Sequence, residues 1–382
     1  MPALPDPRTW FAGPVKAPAL RADVSGAVQW LRQPPMFTGS QQVTAQSIPD
    51  STRTVITLDT DIWDSVNGHN PLASPGTYYC QQPGYYLAEG TAALAYTGGT
   101  GLSVAYIGFS TAGGTPAIYD GESIPNGTVY PPLPTVAKLV LMTHPGPIGS
   151  SGTDYLQLQT FQSSGGAQDV YNTPYYPLLQ ATWVAAPSGT APLPVPANPP
   201  WPVPPAYVTS ADLNASIRDT IRFLAYPPVM EAYYQAGAQS LASGTAIGAT
   251  GTVVQLDTIT YDTYAAFATS SHTWTAPVAG TYYCYGQLGM PSQATSLSFA
   301  AGLTVTSANY NSGTTVTLWE GPKSIWAGTG ATSCTAVRRR LRLNAGDTVK
   351  LAGFQHDSGG NAVTLSGGAG AGSRLITVWR SA

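Results

Sequence analysis

The chain has 382 residues, room for two domains of ordinary size, and only 9% of them are charged, with a net charge of −3. That balance gives no electrostatic case for nucleic acid or an anionic membrane, and no apolar run is long enough to insert as a membrane span. Hydrophobic residues at 43% and aromatics at 10% argue against disorder, while 41 glycines and 34 prolines cut the apolar residues into many short runs.

In chain order, the start from Met1 to Pro7 lacks the basic region and apolar stretch of a secretory signal, so synthesis in a host cytoplasm is expected. Residues 1–36 read as a docking segment, with Trp10 as an anchor, followed by a helix. Leu20, Val24, Val28 and Leu31 form one apolar stripe there, and Pro18 sits where a first-turn proline is tolerated. Short alternating runs over 37–186 predict a first sandwich. Residues 187–205 include nine prolines and read as a linker, either extended as polyproline II or packed along a sandwich through Trp201. Residues 206–236 hold a second helix with the stripe Leu213, Ile217, Ile221 and Leu224. Thr209 with Asp212 makes its capping box, and Pro227-Pro228 ends it. Residues 237–382 predict a second sandwich. In its run from Val337 to Leu351, Val337, Leu341 and Leu343 share one strand face and Arg338, Arg340 and Arg342 the other.

The two halves are copies. Leu20 to Pro35 recurs without a gap as Leu213 to Pro228, and Leu58-Asp59-Thr60 recurs as Leu256-Asp257-Thr258. Gly76-Thr-Tyr-Tyr-Cys80 matches Gly280-Thr-Tyr-Tyr-Cys284 letter for letter, and Asp154 to Gln162 matches Asp347 to Gln355. Leu179 to Trp183 and Leu375 to Trp379 close the two copies. Five blocks in one order, at offsets from 193 to 204, identify a duplication. The expected fold is therefore all-β: two tandem jelly-roll-like β-sandwiches, each preceded by a short amphipathic α-helix.

In the second copy, Trp274-Thr-Ala-Pro-Val-Ala-Gly280-Thr-Tyr282 is followed by Leu341-x-Leu343-x-x-Gly346-Asp347-x-Val349-x-Leu351 and a final Ser373 to Trp379 strand. This set resembles the jelly roll shared by tumour necrosis factor and the complement globular head. With the helix from Asn214 to Leu224 in front, it resembles modules in minor tail proteins of phages that infect actinobacteria. The first copy departs from the pattern, with Gly152-Thr-Asp154 at the turn and an insertion over 143–151. The resemblance implies a homotrimer, a place in the virion, and a structural protein of a phage tail (minor tail, fibre or tip accessory). Its partners would be other virion proteins and a host-envelope glycan. A head fibre or capsid-decorating protein, or a carbohydrate-binding adhesin, is the alternative reading.

No cofactor, catalytic constellation or metal site is expected. His69, His144, His272 and His356 are scattered and read as solvated loop histidines. Asp59, Asp61 and Asp64 have the oxygen ligands of a calcium site without its loop pattern, and strand-end carboxylates are the preferred reading. Cys80 and Cys284 read as small buried apolar groups at equivalent positions. The interaction candidates are the cationic ladder of Arg338, Arg340 and Arg342, the N-terminal Trp10, and two tyrosine pairs. Tyr85-Tyr86 and Tyr175-Tyr176 are flanked by Gly and Pro and are expected on loops, for a sugar ring or a neighbouring subunit to cover.

Overall fold

A computed structural model describes residues 34–187 and 219–380, apart from 44, 96–100, 112–116, 127–133, 172–176, 236, 238, 245–250, 292–296, 311–312, 321–322, 326–332, 366 and 369–371. The first predicted helix, Trp10, Tyr175, Tyr176, nearly all of the proline-rich linker and the capping box of the second helix lie outside the described residues.

The first sandwich begins with β1 (Met36–Ser40), β2 (Ser47–Ile48), β3 (Thr54–Val55), β4 (Thr60–Asp64), β5 (Tyr78–Tyr79) and β6 (Gly84–Thr91). It continues with β7 (Gly101–Ser110), β8 (Ala117–Asn126), β9 (Thr135–Met142), β10 (Tyr155–Gln162), β11 (Gln168–Asp169) and β12 (Leu178–Ala185). One antiparallel sheet runs β4-β1-β12-β6-β9; the facing sheet runs β3-β10-β7-β8, with β5 also on β10. A single described helix follows, α1 (Asp219–Ala225).

The second sandwich opens with β13 (Val229–Tyr233), ahead of residue 237 where its start was expected, then β14 (Ser240–Leu241), β15 (Thr252–Val253) and β16 (Thr258–Asp262). Next come β17 (Phe267–Ala268), β18 (Thr273–Thr275), β19 (Gly280–Met290), β20 (Leu297–Thr306), β21 (Thr315–Trp319) and β22 (Lys323–Ile325). β23 (Ser333–Leu343), β24 (Thr348–Asp357), β25 (Val363–Thr364) and β26 (Arg374–Arg380) complete it. Its sheets repeat the first plan, β16-β13-β26-β19-β23 facing β17-β18-β24-β20-β21. The chain is thus all-β in two jelly-roll-like sandwiches, and the core of each lies between its two sheets, where alternate strand residues point inward.

Paired hydrogen bonds show how deep the duplication runs. Trp183 N donates to the Pro35 carbonyl and Trp379 N to the Pro228 carbonyl. The Gln46 amide donates to the Val55 carbonyl, and the Gln239 amide does the same to Val253. Buried Gln162 spans the carbonyls of Ile48 and Gly166; Gln355 spans those of Leu241 and Asn361. These side chains satisfy loop backbone that burial would otherwise leave unpaired.

One repeat block is misaligned in the sequence. Tyr78 pairs with Leu156 as Trp274 pairs with Val349, so the partner of Tyr78 is Trp274 and not Tyr282. Gly84 and Gly280 each press against the indole of the closing-strand tryptophan, Trp183 and Trp379. Tyr86 and Tyr282 each donate a hydroxyl hydrogen bond, 2.8 Å long, to the carbonyl four residues earlier. The true partner of Gly280-Thr-Tyr is therefore Gly84-Tyr-Tyr. The identical letters at Gly76 to Cys80 occupy a different strand, and Cys80 and Cys284 are not equivalent positions.

α1 ends where expected: Tyr226 N reaches back to the carbonyls of Arg222 and Phe223, ahead of Pro227. Ile221, Phe223 and Ala225 are buried, an i, i+2, i+4 set that wraps beyond the predicted stripe. The helix is wedged at the junction of the two sandwiches, which explains this. Phe223 meets the Trp379 ring edge-on in the second, Tyr226 just beyond packs on the core of the first, and the Ala225 carbonyl accepts from Ala186 N.

Candidate interaction surface

The five-stranded sheets carry the surface chemistry. Core residues of β6 alternate with outward ones, and the outward set is Tyr85, Leu87 and Glu89. On β9 the outward residues are Ala137, Leu139 and Leu141. Val184 and Ala185 come from the end of β12. All but Glu89 and Leu141 join one buried apolar cluster with Val229, Tyr285, Ala336, Ile376 and Val378 of the second sandwich. The outward face of the first sheet near β9 thus packs on the outward face of the second sheet.

Polar groups lock this contact. Lys138 Nζ lies 2.6 Å from Glu231 Oε1 with both side chains buried, and 4.3 Å from the centre of the Tyr119 ring. Burial pushes the Lys138 ammonium below its ordinary pKa, against the pull of Glu231. The Tyr283 hydroxyl donates to Glu89 Oε1 at 2.5 Å, and burial and this carboxylate both drive that phenol far above its ordinary value. Tyr85 stacks on Tyr261 with ring centroids 3.5 Å apart.

The tyrosine pair Tyr85-Tyr86 is therefore on β6 and not on a loop. Pro83 and Gly84 precede a strand, and the glycine is needed for close approach to Trp183. Tyr86 is a fully buried core residue, while Tyr85 is covered by Tyr261 of the same chain and not by the sugar ring or neighbouring subunit expected. The arginines divide differently. Arg340 and Arg342 are exposed, whereas Arg338 is half buried with its guanidinium 5.8 Å from the Tyr285 ring centre. Arg339 lies on the core-facing side of β23 and escapes at the sheet edge, where it bonds Glu320 and the Trp319 carbonyl. Lys138 occupies the corresponding place on β9 and was not singled out from sequence. A cation on the core side of an amphipathic strand is its only local signal.

The other candidates resolve into loop structure. Asp59 accepts from the backbone N–H of Gln42 and Val43, Asp61 binds His69, and Asp64 accepts from Val66 N and His69 N. The three carboxylates thus serve separate donors, and no group of three or more His, Cys, Asp or Glu that could hold a metal occurs among the described residues. His69 is buried against Phe37, contrary to the solvated reading, because Asp61 and the Pro75 carbonyl satisfy both ring nitrogens. His144, His272 and His356 are exposed or half exposed. Cys80, Cys284 and Cys334 are free and buried, and burial raises the Cys80 thiol to about 12. No described helix is long and apolar enough to cross a membrane.

No protein-family model matches the chain, and no curated protein matches it. Among solved structures, the globular domain of zebrafish complement 1qA is similar, at 15% identity and a TM-score of 0.28, over 40% of this chain and 96% of that one. Murine APRIL is similar at 12% identity and a TM-score of 0.27, over 40% of this chain and 98% of that one.

Proposed function

We propose that this protein is a non-enzymatic structural component of a phage virion, built into the tail as a minor tail, fibre or tip accessory protein. It works by burying surface against other protein, including copies of itself. The observation that carries this reading is the use the chain makes of two of its sheets: where the first sheet near β9 meets the second sandwich, the outward faces are apolar, aromatic and engaged in packing. The tail assignment and a trimer rest on the sequence resemblance of the helix-plus-sandwich unit. Immunogold labelling of purified particles with an antibody to this chain tests it, with mass spectrometry of the same particles. Label at the tail supports the reading, and label on the capsid moves the protein to the head. Its absence from purified particles overturns the reading.

A further inference from the structure

The second sandwich gathers cations at one end of its five-stranded sheet. Thr281 on β19 pairs with Arg342 on β23 to one side and with Arg380 on β26 to the other, so the three residues stand in a row across three strands. Arg340 lies two residues back along β23, beside Tyr283. Alternation fixes the direction of all four. Leu341, Leu343 and Tyr282 belong to the core and Trp379 packs against it, so their neighbours point outward. Adjacent strands lie about 4.8 Å apart and alternate residues about 7 Å apart, which roots the three arginines in a patch of about 7 by 10 Å. Lysines and arginines number only 16 in 382 residues, so this grouping is a concentration and not the background.

The patch is short of counter-charge. Glu89 of the first sandwich attracts Arg380, and it also accepts the hydrogen bond of the Tyr283 hydroxyl. Burial holds the Arg380 guanidinium below its ordinary pKa, and the nearby charge of Arg340 pushes the same way. Arg340 and Arg342 are exposed, and among the described residues no salt bridge reaches either. The equivalent positions of the first sandwich carry no charge. With Tyr85 matched to Thr281, the register sets Leu139 against Arg340, Leu141 against Arg342 and Ala185 against Arg380. Leu139 and Ala185 are buried in the contact between the sandwiches. The copies have diverged here, from apolar and covered in one to cationic and open in the other. Protecting a strand edge takes one charge of either kind. Three arginines, with no lysine among them, fit a ligand that is gripped by forked donors.

We propose that Arg340, Arg342 and Arg380 form a binding site for an acidic saccharide, a glycan that bears carboxylate or phosphate groups. The rim of the patch is polar. The Tyr310 hydroxyl accepts from Arg342 N and keeps its own hydrogen to donate, while the Asn309 amide nitrogen is fixed on the Arg342 carbonyl and leaves its oxygen to accept. A protein partner would need an apolar centre to bury. Among the described residues, the exposed large apolar side chains lie on β1, β4, β9, β16 and loops, and none on β19, β23 or β26. Nucleic acid draws its affinity from many phosphates at once, and three cations on a chain of net charge −3 offer too few contacts. A saccharide meets both halves of the site, with hydroxyls for the rim and an anion for the arginines. The inference stands apart from the virion reading, since it needs only the isolated chain.

The test is binding of the purified full chain to immobilised polygalacturonate, which supplies carboxylates, and to a phosphomannan, which supplies phosphates. Dextran is the neutral control and double-stranded DNA the second polyanion. At about 0.05 M salt the wild type should bind at least one acidic glycan and leave dextran alone, and binding should fade toward about 0.5 M. The glycan retained identifies the anion. Arg340→Gln and Arg342→Gln should each weaken binding by about three- to tenfold, the loss of one exposed charge-assisted contact, and the double variant should abolish it. Arg53→Gln, which removes a cation from the first sandwich, should bind as the wild type does. Near-ultraviolet circular dichroism checks that each variant is folded. Failure to bind either acidic glycan overturns the proposal, as does unchanged binding by the folded double variant. DNA bound as tightly as the glycans overturns it too. Glycan binding by a protein absent from particles would sustain this site and overturn the virion reading. Label on particles with no glycan binding would do the reverse.

Discussion

Lys138 on β9 and Glu231 on β13 form an ion pair 2.6 Å long between two sandwiches, with neither side chain open to solvent. Such a pair is costly to break from one side, because the survivor stays charged and buried. Lys138→Met or Glu231→Leu alone should each destabilise the protein by about 3–5 kcal/mol, while the double substitution should sit near or above the wild type. Urea unfolding of all four proteins, read as a double-mutant cycle, checks this. Additive losses would mean that the pair does not couple the sandwiches.

Alkaline pH should unfold the protein cooperatively. Burial raises the phenols of Tyr78, Tyr86, Tyr261, Tyr282 and Tyr283 above their ordinary value of 10.0. A raised folded pKa means that the stabilisation is fully present below pH 10 and is lost as pH rises through the folded values, since only the unfolded chain can release these protons first. The phenolate absorbance of these five should therefore appear with loss of tertiary signal. Smooth titration in a folded protein would contradict it.

Gly84 and Gly280 face the Trp183 and Trp379 indoles so closely that a Cβ would overlap the ring nitrogen. Gly84→Ala and Gly280→Ala should each cost about 1–3 kcal/mol through overpacking. Gly346→Ala offers the contrast. Its Cβ would meet open space, but its φ of 90° strains any other residue, so its cost arises from backbone conformation alone. Unfolding midpoints, with a structure of Gly280→Ala showing a displaced indole, distinguish the two causes.

All three thiols should be silent toward an aromatic disulfide reagent at pH 8 and react together on unfolding, because each is buried and Cys80 is pushed up to about 12. Reaction of one thiol in the folded protein would show an opening that the packing does not contain.

The duplication and the sandwich class were legible because strand alternation and loop-tying side chains are local. Gln162 and Gln355, Asp154 and Asp347, and the Val337–Leu341–Leu343 face all lie where their spacing puts them. The Gly-Thr-Tyr-Tyr-Cys identity misled because letters outranked chemistry. The pattern of aromatic, five residues, Gly, one residue, Tyr fits both Tyr78 to Tyr86 and Trp274 to Tyr282, and it follows the packing of ring on ring. The contact between sandwiches had a quieter trace. Leu375-Ile-Thr-Val378 is nearly continuous and apolar, as a strand covered on both faces should be. Its counterpart, Leu179-Gln-Ala-Thr182, alternates. Tyr85 was placed on a loop because Pro83 and Gly84 read as turn residues, when one of them makes room for a tryptophan.

The docking of one sandwich on the other also has a consequence in time. Glu89 and the tyrosine that covers it are 194 residues apart, so the first sandwich leaves the ribosome well before its cover exists. At roughly 5–20 residues per second, the stretch from Ala185, which completes their sheet, to Val378, the last residue of the cover, leaves Tyr85, Leu87 and Leu139 exposed for roughly 10–40 s. During that interval the patch is identical on every nascent chain of a polysome. Slower translation of the second half would lengthen the exposure without altering the native structure, so yield and codon usage over residues 188–380 should be linked.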